Sequence, residues 1–473
     1  MKFLYVKQRA RRLLGLAGLL AATAPAAMAQ HGRHYINLQT QVLPAPFRPG
    51  RIVRVLDARP DRTHVGWVQT GLDNNRVAAD FKEGLAAAFE KVLSTAPPAL
   101  DTVRYALRVH QFTVGEITTA NSEAASADLV ADLLRLRPDG QYDLLARSAV
   151  AVERKGIEVT GMHAGNAAQV LQQCLARFEQ SAPAQLPALA VLSPEQAAQP
   201  EASLVSLLPL PFLAEAKHRP GVYQTLAELQ QNAPGINRVV ALSKTPRKKE
   251  WAGTDDVELY YVAENGVRTP VRNVWGYCDG RDVYILYRRD YYLLTPTPEG
   301  FEFLAPSAPK GSEVMAGAML GGVVGAGIAA AASGGYPQRH SVNLFTGRIT
   351  ALPLESKFAD ASPTSVEGRI VVYRRRPEAA PVAVSANGLA VGQLSPETVS
   401  VALPWADKRR AAKLCVGSGA AASEACTEAL PLAGETLYYE LEATGTGANF
   451  KPVSAKEALF EIRRAELRAR AAK

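Results

Sequence analysis

Hydrophobic and polar positions change period several times along the chain, and each change marks an element. Residues 52–56 and 65–68 are strand-like runs separated by Asp57-Ala58-Arg59-Pro60-Asp61-Arg62, which is turn chemistry. Asp80, with Glu83 three residues on, predicts a helix start. Phe81, Leu85, Ala88, Phe89 and Val92 then fall on one helical face. Val103, Tyr105, Leu107 and Val109 alternate with Arg104, Arg108 and His110, the period of a strand buried on one side. That alternation assigns His110 to the polar face, as a solvated side chain. Strand runs at 129–136 and 142–152 flank Pro138-Asp139-Gly140, a hairpin signal. Ala167, Val170, Leu171, Cys174, Leu175 and Phe178 form the continuous apolar stripe of a second helix. The order ββαβββα predicts an α+β class, with both helices on one face of a mainly antiparallel N-terminal sheet over 30–180.

Residues 181–218 hold Pro183, Pro187, Pro194, Pro200, Pro209 and Pro211 with much Ala and Gln, and read as an extended linker. Within it, 204–213 is more apolar than a free spacer requires and is expected to lie against a domain surface. A β-rich domain follows over 219–355. Thr225-Leu226-Ala227-Glu228 is a capping box. Strand runs occupy 257–262, 267–277 and 283–286, with turns at Glu264-Asn265-Gly266 and Asp279-Gly280, and 342–349 reads as a further hairpin. Eight of the sixteen Tyr lie between 223 and 292, beside Trp251 and Trp275. Such a ladder can bind sugars or peptides, but cross-strand aromatic pairs also stabilise sheets by ~0.2–1 kcal/mol each. The structural reading is preferred. Asp279 and Asp282 look like a carboxylate pair, but the turn explains Asp279; the basic run 244–249 reads as a solvated loop.

From 366 to 473 the pattern is all-β, with runs at 369–374, 382–385, 389–391, 399–403, 413–416, 429–432 and 437–441. Their spacing, with the Asn387-Gly388 turn, predicts a small β-sandwich. Ser454-Ala455-Lys456-Glu457 opens a terminal helix. Cys415 and Cys426 flank a Gly/Ala/Ser loop between two strand runs, so a hairpin brings them face to face as a disulfide candidate. Cys174 belongs to the helix stripe and reads as core.

The uncharged run 314–332, inside a Gly-rich interruption at 313–334, is 19 residues long and meets the length of a membrane helix. Gly317, Gly321 and Gly325 recur every fourth residue, which gives one helix face a flat stripe for close packing on another helix. Against this, each Gly costs ~1 kcal/mol relative to Ala in a helix in water, so a buried loop is the alternative. A single crossing puts 257–304 and 342–349 on opposite sides of a bilayer, and 19 residues are too few for two helical crossings. Spanning, re-entry and packing on the protein all stay open at this point.

The chain has 473 residues, 47% apolar and 21% charged, consistent with roughly three domains of about 150 residues. Its formal charge is +8, but residues 1–29 carry Lys2, Lys7, Arg9, Arg11 and Arg12 and no acid. The remainder is nearly neutral, which excludes a nucleic-acid reading built on charge. Those cations precede an apolar core at 13–24 and the small-residue site Ala27-Met28-Ala29. Residues 1–29 therefore read as a signal peptide cleaved between Ala29 and Gln30. No GxSxG, HExxH, CxxC, phosphate-loop or dinucleotide fingerprint occurs. No catalytic residue, cofactor or metal is assigned.

Leu56-Asp57-Ala58-Arg59 and Val65-Gly66-Trp67, followed by the first helix, make 50–180 resemble the small α+β domains of bacterial envelope auxiliary lipoproteins, including those of ABC transport systems. The lipid-anchoring Cys of those proteins is absent here. Val372-Tyr373-Arg374, Ala386-Asn387-Gly388-Leu389-Ala390-Val391-Gly392 and Leu432-Ala433-Gly434-Glu435-Thr436-Leu437-Tyr438-Tyr439 make the C-terminal part resemble a small β-domain of unknown function found in envelope proteins and lipoproteins. The first resemblance implies a non-catalytic accessory or binding role, and the second an extracytoplasmic, non-enzymatic domain. The expectation is an exported, membrane-associated protein of the periplasm or outer envelope that binds or scaffolds. Its expected partners are membrane lipid and envelope proteins, with homo-oligomers through the Gly-rich run. The rivals are an extracytoplasmic hydrolase of sugars or peptides, with the aromatic domain as its cleft, and a self-assembling structural subunit.

Overall fold

A computed structural model describes residues 33–44, 47–70, 75–96, 103–118, 123–156, 158–200, 204, 207, 210–215, 218–236, 240–297, 300–308, 335–354, 367–375, 380–417, 425–444 and 447–471. The expected signal peptide, with its cleavage site at Ala29 and Gln30, and the run holding Gly317, Gly321 and Gly325 lie outside the described residues. The fold is α+β.

Strands β1 (His34–Tyr35), β2 (Arg51–Asp57), β3 (Gly66–Thr70), β4 (Asn75–Asp80), β5 (Arg104–Thr118), β6 (Glu123–Leu136), β7 (Tyr142–Gly156) and β8 (Ala190–Leu192) form one sheet. Its order is β1-β4-β3-β5-β6-β7-β8, with β2 also paired to β5. The sheet is mainly antiparallel, as expected, through β3/β4, β5/β6, β6/β7 and β7/β8, with β2 and β3 added parallel to β5 and β1 parallel to β4. β5 is 15 residues long, so β2 and β3 share its one edge in succession. Gly66 permits this. Its φ is +132°, and a Cβ there would stand 1.9 Å from the Val114 carbonyl oxygen.

Helices α1 (Leu85–Ser94) and α2 (His163–Gln180) cover one face. Their predicted stripes are buried with Leu107, Phe112, Leu129 and Leu133 in one core. The start of α1 differs from expectation. Gly84 is its N-cap, while Asp80 ends β4 and gives its carboxylate to Arg33 and the Phe81 amide.

The proline-rich segment is not simply extended. Pro183, Pro194 and Pro211 each open a helical turn, at Pro183–Gln185, Pro194–Ala198 and Pro211–Ala214, where a missing N–H costs nothing. Between the first two, β8 joins the sheet edge. Leu204 and Phe212 are buried, in line with the apolar excess of 204–213.

The middle of the chain stacks three sheets. The central one orders Asp290–Leu293, Val283–Tyr287, Gly276–Cys278 and Gly221–Tyr223. Ile285, Tyr287 and Tyr292 pack toward Phe212, Phe301 and Phe303 on one side. Tyr277, Tyr284 and Tyr291 pack toward Val257 and Leu259 on the other. The aromatic ladder is thus the filling between sheets. The predicted strand 267–277 is two strands, Arg268–Pro270 and Gly276–Cys278, in different sheets. Pro270 ends the first, and Asn273, at φ +54°, turns the chain between them.

Gly300–Pro306 pairs antiparallel with Pro337–Val342, from Phe301 opposite Val342 to Pro306 opposite Pro337. Pro337–Val342 then turns back as a hairpin to Ile349–Ala351.

The C-terminal part has two four-stranded sheets around one core, in which Ile370, Val372, Leu414, Val416, Tyr439 and Phe450 meet. Asn387 and Gly388 take φ +50° and +80° at the predicted hairpin turn. The strand expected at 429–432 is instead Ala425–Ala429. Pro431 and Gly434 convert the next residues into a turn, where the Glu435 amide bonds the Leu432 carbonyl. A strand at Gly447–Val453 adds to those expected. Cys415 and Cys426 are paired across neighbouring strands and joined, Sγ–Sγ 2.12 Å. The terminal helix is Ala455–Ala471, and its Glu457 amide donates to Ser454 Oγ. No helix among the described residues is long and apolar enough to cross a membrane.

Candidate functional site

The second face of the N-terminal sheet carries polar side chains, yet His110, Asp128 and Asp132 on it are closed to solvent. A bulge between Val109 and Gln111 leaves His110 opposite no single partner on β6. His110 Nε2 donates to Asp132 Oδ2 at 2.6 Å, and both side chains are fully enclosed. This corrects the solvated assignment of His110. The alternation is right locally, but the polar face it defines is covered by the rest of the chain.

Arg147, on β7, completes the cluster. Its Nε and Nη2 donate to the two Asp132 oxygens at 2.6 and 3.0 Å, and its Nη1 donates to the Leu207 carbonyl in the proline-rich segment. Burial alone would raise the Asp132 carboxyl, but hydrogen bonds from His110 and Arg147 outweigh it and hold it below the usual range.

Four residues along β6, at Asp128, the hairpin after Pro337–Val342 lays its tip on the same face. Asn343 Nδ2 donates to Gln111 Oε1 at 2.9 Å, and Thr346 Oγ1 donates to Asp128 Oδ1 at 2.6 Å. Arg348 bonds Glu153 and lies 4.0 Å from Asp128. Gly115 leaves the space into which Thr350 fits, since a Cβ there would come within 2.8 Å of Thr350 Cγ2. The helical turn Pro194–Ala198 covers the far end, where Ala197 packs on Ala106, Leu134 and Tyr142.

Two more buried ionic groups hold other parts. Under the start of α2, His163 Nε2 donates to Glu116 Oε1 at 2.7 Å, and Glu116 Oε2 accepts from the Gln69 amide at 2.6 Å. Arg33 joins the first and last parts of the chain. Its donors reach the Asp80 and Glu435 carboxylates and the Thr63 and Leu430 carbonyls at 2.5 to 3.1 Å. The guanidinium is satisfied on every nitrogen.

The chemistry singled out from sequence in the middle domain is differently placed. Lys244 Nζ lies 3.5 and 3.4 Å from Asp279 and Asp282 and 4.9 Å from the Tyr284 ring centre. Desolvation would lower its pKa, but Tyr284, Asp282 and Asp279 raise it, so Lys244 stays cationic and offsets both acids. Arg247 stacks over Trp251 and Tyr292, at 5.2 and 5.5 Å. Tyr284 itself is buried. Two surface clefts, of about 300 and 510 Å³, are lined by residues such as Arg54, Arg104 and Tyr142, and Lys82, Glu83 and Lys91. Neither borders Tyr284. No group of three or more His, Cys, Asp or Glu converges as a metal site among the described residues.

Asp128, Asp132, Arg147, Glu116, His163 and Arg33 escape the sequence reading. One signal was present. In β6, Val130 and Leu134 share a face with Asp128 and Asp132, and a face carrying both kinds of residue is one that another part of the molecule covers.

No family model matches the chain, and no curated protein matches it. Among solved structures it is similar to pneumolysin at 9% identity, over 72% of this chain and 93% of that one, with a TM-score of 0.15. A disulfide-locked intermedilysin mutant with human CD59 gives 8% identity, 72% and 92% coverage and 0.13. A non-hemolytic pneumolysin from Streptococcus pneumoniae strain ST306 gives 8%, 72%, 93% and 0.14. TM-scores this low establish no common fold.

Proposed function

We propose that this is an exported, membrane-associated envelope protein that binds or scaffolds and performs no covalent chemistry. The observation that carries the reading is how its reactive side chains are used. The His110–Asp132 and His163–Glu116 pairs are enclosed at 1% side-chain exposure or less, and Lys244 bridges Asp279 and Asp282. Groups that could act as acid, base or nucleophile-activator hold parts of the chain together instead. The accessory role implied by the envelope-lipoprotein resemblance fits this use.

Membrane attachment is assigned to the apolar interruption at 313–334. Gly300–Pro306 and Pro337–Val342 are hydrogen-bonded neighbours, and the Ser307 amide bonds the Tyr336 carbonyl beyond the last pair. Chain that leaves and returns at adjacent positions on one sheet favours re-entry, or packing at the surface, over a single crossing. The test is labelling of Ala308→Cys and Tyr336→Cys, both partly exposed, by a membrane-impermeant thiol reagent in intact cells. Both sites are expected to label from the extracytoplasmic side. Labelling from opposite sides, or full-length unprocessed product in the soluble cytosolic fraction, overturns the reading.

A further inference from the structure

The terminal helix Ala455–Ala471 has two faces of different chemistry. Its inner face is small, with Ala458 and Ala465 buried and the helix packed on the strand Thr436–Thr444. Two of its three acids, Glu457 and Glu461, are engaged. Glu457 accepts from Arg375 at 2.7 Å, and Glu461, only 13% exposed, lies 3.6 Å from Arg464. Its outer face holds Leu459 and Phe460 in solvent at 57% and 65% exposure. Lys456 stands one turn before Phe460, Arg463 and Arg464 one turn after, and Arg468 one turn further, all exposed. Neighbours three and four apart share a helix face, so the exposed ring sits among cations. An exposed Leu-Phe pair among four exposed bases, with the neighbouring acids Glu457 and Glu461 already paired to arginines, is the pattern of an interfacial helix.

We propose that this outer face docks on an anionic lipid surface, Leu459 and Phe460 entering the headgroup boundary while the bases meet lipid phosphates. The charge pattern selects the sign of the surface. The convex form of a lone helix ridge selects lipid over an acidic protein, because a fluid interface conforms to a ridge whereas a protein must offer a matching groove. The proposal rests on the membrane-association reading but uses a different part of the chain from 313–334.

The experiment is co-sedimentation of the full mature chain with phosphatidylcholine vesicles, with and without phosphatidylglycerol. It compares wild type, Leu459→Ser/Phe460→Ser, Arg463→Glu/Arg464→Glu, and a chain whose 313–334 run is replaced by a polar linker. Wild type is expected to prefer phosphatidylglycerol and to release as salt rises. Each double variant should bind at least about tenfold more weakly. All four substituted side chains are exposed, so an unchanged thermal transition verifies folding. Wild type indifferent to phosphatidylglycerol, or folded double variants that bind equally well, overturns the proposal. Binding lost only on replacing 313–334 also overturns it, while sparing the membrane-association reading. Binding lost in the double variants but kept after that replacement supports the helix and removes the apolar run from the account.

Discussion

Asp132 and Leu133 are neighbours on β6, and neither is exposed. Leu133 turns toward α1 and α2, into a core of Phe89, Phe112, Leu171 and Phe178. Asp132 turns the other way, toward His110 and Arg147 beneath the proline-rich segment. One face is closed by apolar packing, which is non-directional and tolerates rearrangement. The other is closed by a few hydrogen-bonded ionic pairs, which are directional and fail when one member is lost. The sheet is therefore a core on one side and a docking surface on the other. The polar side is where separate parts of the chain are set in register.

That contrast can be broken by substitution. Leu133→Ala removes a fully enclosed side chain from the centre of the helix-side core, and is expected to cost about 4 kcal/mol in urea unfolding. Asp132→Ala leaves His110 and Arg147 facing a void, and is expected to cost about 3 kcal/mol. The two should also differ in kind. The first lowers stability throughout, whereas the second should expose the proline-rich segment around 204–213 to protease before the sheet itself unfolds. A cost below about 0.5 kcal/mol for Asp132→Ala would mean that the polar face behaves as ordinary surface, and the contrast would be gone.

The same contrast explains what the sequence could disclose. The α2 stripe and the Tyr105–Leu107–Val109 alternation are local patterns, each residue's fate following from its neighbours three, four or two positions away. The hairpin at 342–349 was likewise visible, but not that Asn343 and Thr346 at its tip would reach Gln111 and Asp128, more than 200 residues back. His110 shows the failure most sharply. Period-two alternation says which face a strand residue takes, and nothing about whether a distant segment later covers that face. Asp80 departs from its expected capping role for a related reason. Its partner, Arg33, lies 47 residues earlier, so a carboxylate suited to capping the following helix is used elsewhere. The joined Cys415 and Cys426 are the opposite case, two residues across one hairpin with their geometry set by local register.

The smallest effect, and the one that isolates the docking surface, concerns Asp128. Burial pushes its carboxyl up to about 6, against the pull of the Thr346 hydroxyl and Arg348, and with a further push from Glu153. The folded value lies above the unfolded one near 3.9, so the folded state binds the proton more tightly. Its contribution to stability is fully present below about pH 4 and is lost as pH rises through about 6. Asp132 works in the reverse sense. Its folded value is depressed, so its contribution is present above the unfolded value and is lost as pH falls through the folded one. The two windows do not overlap. Asp128→Asn should therefore flatten the stability curve between about pH 4 and 6, by at most about 1.4 kcal/mol per pH unit, and leave the acid limb set by Asp132 unchanged. Urea unfolding of wild type and Asp128→Asn across that range is the measurement. Parallel curves would show that the hairpin tip does not shield Asp128 from water, and the buried polar face would then end at Asp132.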